Sequence, residues 1–164
     1  MAKTEKNLMD AFAGESQANR KYLAFAKKAE AEGYKQIAKL FRAAAEAETV
    51  HAHNHLREAG GIKSTQENLN EAIGGETFEF QKMYPAMIEE AKAEARDGAM
   101  KSFVYANEVE KIHAELYKKA LAGMGNNPDV DYYVCQVCGN TAEGEAPDEC
   151  PVCGAKKQAF KKID

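Results

Sequence analysis

The chain of 164 residues has no tryptophan, only four prolines and no cysteine before residue 135. Basic residues are not in excess, because 22 Lys and Arg face 26 Asp and Glu, and this balance argues against nucleic-acid binding. Long apolar runs of membrane-spanning length are missing as well. The opening residues, MAKTEKN, lack the apolar centre of a secretory signal. We therefore expect a cytoplasmic protein with neither a nucleic-acid nor a membrane partner.

The chain contains the same spacing of carboxylates and histidines in each of its two halves. Each half has a lone glutamate followed later by a Glu-x-x-His pair, and this spacing places both members of a pair on one helix face. A four-helix bundle holds two iron or manganese ions with such a ligand set. The residues are Glu15, Glu48 and His51 in the first half and Glu76, Glu110 and His113 in the second.

These glutamates fall within the apolar stripes of the predicted helices. Glu15, for example, continues the helical spacing of Leu8 and Phe12. A carboxylate in such a position loses solvation worth roughly several kcal/mol unless a cation compensates it. A single Glu-x-x-His pair is more often a solvated surface feature. The duplication favours two divalent ions, whose four positive charges balance four carboxylates, and carboxylate with imidazole suits iron, manganese or zinc.

Glycines and prolines divide the chain into long helices and a tail. We predict helices over residues 4–32, 34–59, 76–96 and 99–122, with a kink at Pro85. The long connection between the second and third helices contains a capping box at Ser64 and ends with Gly74 and Gly75. A connection of this length is typical of the crossover in ferritin-like bundles.

All four cysteines lie in the tail, as two Cys-x-x-Cys-Gly motifs: Cys135 with Cys138 and Cys150 with Cys153. Two such knuckles facing each other make a tetrahedral site of four sulfurs, and a tail this small needs a metal in order to fold. Two disulfides are the alternative in an oxidising compartment. Zinc and iron both accept four thiolates, so the spacing does not distinguish them. Iron is favoured because an electron-transfer centre makes functional sense beside a redox-active metal pair.

These motifs together resemble the rubrerythrin family. The strings AFAGES, AEAETVHAHNH, GGETFEFQKMYP and EVEKIHAELY are similar to its metal-binding helices, and YVCQVCG and CPVCG are similar to its tail. The likeness runs from about residue 4 to the C-terminus. It implies an all-α four-helix ferritin-like bundle over residues 1–125, a linker over 126–130, and a small β-rich rubredoxin-like metal domain over 131–164.

The resemblance also implies the metals and their ligands. Two iron ions, oxo- or hydroxo-bridged when oxidised, would lie in the bundle, and one iron would lie in the four-cysteine site. Glu79 adds a fifth carboxylate, and one iron is expected to exchange Glu79 for His51 when the pair is reduced. The implied ligands are Glu15, Glu48, His51, Glu76, Glu79, Glu110 and His113 in the bundle, and Cys135, Cys138, Cys150 and Cys153 in the tail.

The implied activity is that of a peroxidase which reduces hydrogen peroxide to water in oxidative-stress defence, with electrons delivered through the four-cysteine iron. The residues expected to act are Glu79, His51, Tyr22 and Tyr84, although the tyrosines could equally be ordinary core residues. The chain has no Gly-x-Gly-x-x-Gly loop for a dinucleotide. Electrons from NAD(P)H would therefore arrive through a rubredoxin or a separate reductase.

The family further implies a head-to-tail homodimer in which the tail of one subunit serves the bundle of the other. Some members exchange helix pairs, and the connection between Gly60 and Gly75 would permit such a swap. Two other functions compete with peroxide reduction. One is a ferroxidase that handles iron as ferritins do, and the other is a non-catalytic helical dimer with a zinc ribbon as its interaction module.

Overall fold

The computed structural model describes residues 2–164 and separates them into two compact units, one ending at Lys63 and the other beginning at Ser64. The first unit is a helical hairpin of α1 (Lys3–Ala31) and α2 (Lys35–Glu58). Gly33 allows the turn between them, because its φ of 86° lies in the left-handed region that glycine adopts without strain. Both helices lie close to their predicted ranges.

Small side chains let the two helices of the hairpin approach each other closely. The Asn19 amide donates hydrogen bonds to the Ala45 carbonyl at 2.7 Å and to Thr49 Oγ1 at 2.8 Å, which fixes the register of α1 against α2. The Tyr22 and Phe41 rings meet further along, with centroids 6.1 Å apart. Among residues 2–63, the fully buried apolar residues are all alanines: Ala26, Ala29, Ala38, Ala45 and Ala52.

The second unit begins with α3 (Thr65–Phe78), which continues through a π-helical segment (Glu79–Met83) into α4 (Tyr84–Ala93). The chain then returns along α5 (Asp97–Ala122). The capping box predicted at Ser64 is present, because Ser64 Oγ accepts the Glu67 N–H and the Glu67 carboxylate accepts the Ser64 N–H.

The third helix departs from its prediction in three ways. Gly74 and Gly75 lie inside α3 rather than before a new helix, because packing against α5 overrides the weak helix preference of glycine. The irregularity near Pro85 is a π-helical segment just before it, since a proline ring has no N–H and crowds the carbonyl four residues back. The helix ends at Ala93 instead of residue 96, where Ala95 adopts a φ of 53°.

The tail is a three-stranded antiparallel sheet in the order β2-β1-β3. Its strands are β1 (Tyr132–Cys135), β2 (Thr141–Glu143) and β3 (Phe160–Ile163), and a short 3₁₀ turn precedes β3. Strand β2 lies against α5, where Lys119 forms an ion pair with Glu143. Among residues 2–164, no helix has the length and apolar character that crossing a membrane requires.

Candidate metal sites

The α1–α2 hairpin brings together the first predicted ligand group. One ligand atom from each of Glu15, Glu48 and His51 lies within 4.8 Å of the others. The i, i+3 spacing on α2 places His51 Nδ1 2.8 Å from Glu48 Oε2. Glu48 is largely covered, whereas the His51 side chain is 54% exposed. Two carboxylates and one imidazole are a suitable ligand set for one iron, manganese or zinc ion.

The second unit builds a matching group from α3 and α5. Glu76 comes from α3, while Glu110 and His113 come from α5, and one ligand atom of each lies within 4.8 Å of the others. His113 Nδ1 is 2.8 Å from Glu110 Oε2 and 3.8 Å from Glu76 Oε1. The ring is therefore turned so that Nδ1, and not Nε2, faces the carboxylates.

Three carboxylates of the second unit crowd one another and resist ionisation without a cation. Burial raises the pKa of Glu76 above its ordinary value of 4.5, the charge of Glu110 raises it further, and His113 opposes the shift. Burial also raises the pKa of Glu110, which shares a hydrogen bond with Glu76. The pKa of Glu79 is raised by burial and then by Glu76. Such a cluster fits a divalent ion, since the ion compensates the charges that the protein alone disfavours.

This crowding predicts a pH dependence of stability. Because the carboxyl pKa values are higher in the folded state, the folded metal-free protein binds more protons than the unfolded chain just above pH 4.5. The carboxyls therefore favour folding at low pH, and this contribution is lost as the pH rises through their folded-state pKa values. We expect these carboxyls to contribute less to the free energy of unfolding of the metal-free protein, measured with urea, at pH 7 than at pH 5.

The control for this prediction is Glu76→Gln, which removes one charge from the cluster. The difference in unfolding free energy between this variant and the wild type isolates the cluster, because other titrating groups cancel. In the metal-free state Glu76→Gln should stabilise the protein more at pH 7 than at pH 5. Equal effects at the two pH values would contradict the prediction.

Of the other residues expected to act, Glu79 and Tyr84 lie near the second group, whereas Tyr22 packs among rings of the hairpin. Glu79 is not part of the three-ligand cluster, yet it is close enough to feel the charges of Glu76 and His113. Burial raises the pKa of Tyr84, and the carboxylates of Glu79, Glu110 and Glu76 raise it further, so the phenol stays protonated at neutral pH. Tyr22 lies in the ring cluster of the hairpin, beside Phe25 and Phe41.

One residue at the second group was missed by the sequence analysis. Thr141, the first residue of β2, places its Oγ1 2.9 Å from His113 Nε2. No local pattern signals this contact, since the two residues are far apart in the chain and meet only because the tail folds back on α5.

The four cysteines converge in the tail. All are free thiols, and the paired sulfurs are 3.7 Å apart for Cys135 and Cys153 and 3.5 Å apart for Cys138 and Cys150. Each knuckle turns at a glycine with positive φ, 87° at Gly139. These distances are too long for disulfides and fit four thiolates around one ion.

The knuckle amides stabilise thiolate charge unevenly. Burial raises the pKa of Cys150, but N–H groups of Cys153 and Val152, together with neighbouring thiols, outweigh it and hold the pKa below its ordinary value. Burial raises the pKa of Cys138 well above its ordinary value, although the Asn140 N–H opposes the shift. A metal ion bound there would favour the thiolate form of Cys138 and complete the set of four thiolates.

Family models and known proteins match both the helical region and the four-cysteine tail of this chain. The family model described as "Rubrerythrin" matches residues 6–121, and the one described as "Rubrerythrin, rubredoxin-like domain" matches residues 133–161. "Rubrerythrin-2" of Clostridium acetobutylicum is 38% identical, over 98% of this chain and 96% of its own. "Nigerythrin" of Nitratidesulfovibrio vulgaris is 37% identical, over 96% of this chain and 85% of its own.

The similarity extends to solved structures. The structure "Partially Reduced State of Nigerythrin" has a TM-score of 0.60 and 34% identity, and the match covers 99% of this chain and 88% of the other. The predicted fold class is thus confirmed: a ferritin-like helical bundle with a small C-terminal strand domain. The four cysteines and the Glu/His groups fit one iron and a diiron centre. With both family models in chain order and relatives matched almost end to end, the chain belongs to the rubrerythrin family.

Proposed function

We propose that this protein is a cytoplasmic peroxidase that reduces hydrogen peroxide to water, with electrons supplied through the four-cysteine site. The observation that carries the proposal is the presence, in one chain, of two Glu/Glu/His groups and a four-thiolate group. Family membership supports an oxidoreductase. When bound at the two Glu/His groups, a pair of ferrous ions would supply the two electrons that this reduction consumes.

The residues near the second group have the proton chemistry that peroxide reduction needs. Two protons enter for each peroxide that becomes two waters. Glu79 is not part of the three-ligand cluster, and burial raises its pKa, so while it is off the metals in the reduced state it would hold a proton more readily than a free carboxyl. Tyr84 remains a protonated phenol, and its hydroxyl can donate a hydrogen bond to an oxygen substrate. Tyr22 is proposed to do the same from the hairpin.

The ligand assignments follow the two groups and the family resemblance. We propose that Glu15, Glu48 and His51 act with Glu76, Glu110 and His113, and that Glu79 supplies the extra carboxylate when the metals are oxidised. Oxidation adds two positive charges, which an additional anionic ligand offsets. In the reduced state the neutral His51 imidazole is the better ligand, because the extra carboxylate would then be in excess. The His51 side chain is 54% exposed, which leaves its ring free to reorient.

The tail is proposed to act as the entry point for electrons. Iron in a four-thiolate site cycles between two oxidation states, whereas zinc does not. A rubredoxin or an NAD(P)H-dependent reductase would be the external donor. We also propose a homodimer as the working form, and boundaries at residues 1–125, 126–130 and 131–164 for the bundle, linker and tail.

The experiment that tests this function is anaerobic. The iron-loaded protein is fully reduced, stoichiometric hydrogen peroxide is added, and the visible absorption of the ferric four-thiolate centre is followed. We expect a colourless reduced protein that turns red on adding peroxide. A second sample receives oxygen instead. Reoxidation that is much faster with oxygen than with peroxide would support the ferroxidase alternative, and a protein that never becomes red would indicate zinc in the tail.

A further inference from the structure

The contact between the tail and His113 is a two-sided hydrogen bond. Thr141 Oγ1 donates its proton to the Gly139 carbonyl at 3.3 Å, so the same oxygen is left to accept a proton from His113 Nε2 at 2.9 Å. This arrangement favours a proton on Nε2, which is the tautomer that a metal at Nδ1 requires. With a metal bound, Nε2 would carry the proton and Nδ1, which faces Glu110 and Glu76, would be the ligating atom.

The apolar cavity around His113 and Thr141 strengthens the hydrogen bond between them. His113 and Thr141 line a cavity of ≈ 330 Å³ whose walls also include Leu69, Leu116 and Tyr132. Most of the lining is apolar, and a hydrogen bond in such a setting is stronger than one exposed to bulk water. Partners of metal-bound histidines act through such bonds, because they hold the ring in place and raise the basicity of the ligating nitrogen.

Thr141 also lies close to the four-cysteine site along the chain. The backbone N–H of Asn140 donates to the Cys138 sulfur, and Thr141 is the next residue along the chain. Gly139 makes this possible because its φ of 87° turns the chain back over the sulfur. A short route therefore runs from the Cys138 sulfur through one hydrogen bond to Asn140, along the backbone to Thr141, and through a second hydrogen bond to His113.

We propose that Thr141 is a positioning residue for His113 and that it joins the four-cysteine site to the Glu76–Glu110–His113 group within one chain. The route would carry one electron at a time from the tail iron, which is oxidised from ferrous to ferric, to an iron ligated by His113, which is reduced from ferric to ferrous. The family resemblance implies that the tail of one subunit serves the bundle of a partner subunit. The contact with His113 adds a route inside a single chain.

The positioning role is tested first, without peroxide or iron. The full-length protein is loaded with zinc, which is diamagnetic, and the histidine rings are observed by nitrogen-15 NMR. In the wild type, His113 should carry its proton on Nε2 and exchange it slowly with water. Thr141→Val keeps the shape of the side chain and removes the hydroxyl. We expect this variant to exchange the proton at least about 10-fold faster and to bind zinc at the bundle about 10-fold more weakly.

The electron route is tested in the iron-loaded protein, and this half of the proposal rests on the proposed function. After peroxide oxidises the reduced bundle, the rate of appearance of the ferric-thiolate absorption measures transfer from the tail. We expect Thr141→Val to slow that rate about 10-fold. Thr141→Ser, which restores a hydroxyl, should return it to the wild-type value. A wild type that does not react with peroxide would refute the proposed function and leave the NMR test of Thr141 intact.

A matched control separates the route from simple docking of the tail on α5. Lys119→Met breaks the ion pair with Glu143, a second side-chain contact between α5 and β2, and leaves Thr141 untouched. We expect this variant to transfer electrons at the wild-type rate. If Lys119→Met slowed transfer as much as Thr141→Val, or if Thr141→Val had no effect on exchange or transfer, the proposal would be wrong.

Discussion

Peroxide turnover is expected to fall at least about 100-fold in Glu79→Ala, with the helical fold retained. Glu79 is the one acidic residue of the proposed site without a counterpart in the first half of the chain. Its half-buried carboxylate lies close enough to Glu76 and His113 for their charges to shift its pKa, and as an additional anionic ligand it would offset part of the two positive charges that oxidation adds to the metals. Steady-state turnover with excess peroxide and a chemical reductant measures the loss.

Two further variants sharpen this expectation. Glu79→Gln keeps the shape of the side chain but removes the charge, so it should lose nearly as much turnover as Glu79→Ala if charge is what matters. Glu89→Ala is the matched control, because Glu89 is an exposed glutamate further along the same helix. It should leave turnover unchanged. Wild-type turnover in Glu79→Ala at full iron content would remove Glu79 from the mechanism.

Cys150→Ser is expected to abolish metal binding in the tail and to unfold it. Cys150 is buried, and the tail has few other buried apolar residues. Structural zinc contributes about 10–16 kcal/mol at neutral pH in zinc-finger peptides, where binding free energy is folding free energy, and a four-thiolate metal should likewise hold this tail folded. Removing one of four thiolates therefore removes most of what keeps the sheet together. Metal analysis, loss of the red colour and rapid proteolysis after residue 125 measure the effect.

The same variant separates the two redox sites. Turnover driven by a rubredoxin or a reductase should drop to background, whereas the chemically reduced bundle should still be oxidised once by peroxide. Val137→Ser is the control, since Val137 lies between two cysteines of the other knuckle and is 60% exposed. It should keep both the colour and the turnover. Unimpaired reductase-driven turnover in Cys150→Ser would show that electrons bypass the tail.

The sequence predicts the structure correctly wherever a local pattern of residues is compatible with only one backbone arrangement. Helical spacing placed Glu48 with His51 and Glu110 with His113 on one face each, and the 2.8 Å contacts follow directly from the i, i+3 geometry. The knuckle glycine at position 139 likewise signals its own turn, because only a residue tolerant of positive φ fits there.

What could not be predicted depends on contacts between distant residues. Gly74 and Gly75 read locally as a helix break, and only packing against α5 shows that α3 runs through them. Pro85 predicts an irregularity in the helix, but a kink and a π-helical segment both accommodate a residue that has no N–H, so the sequence does not distinguish them. Thr141 looks like any strand residue until β2 is seen to lie on α5.

The alanine-lined hairpin has a consequence for how long the chain survives in a cell. Each buried alanine methyl contributes only about 0.8 kcal/mol, against about 1.5–3 kcal/mol for a buried leucine or phenylalanine. Because the fully buried apolar residues among residues 2–63 are five alanines, and rings such as Tyr22 and Phe41 are only half-buried, the hairpin has a small apolar core to resist opening. Metal at Glu15, Glu48 and His51 would then add stability by mass action. When iron is scarce, proteases would remove the empty chain first, so the amount of this protein would follow the iron supply.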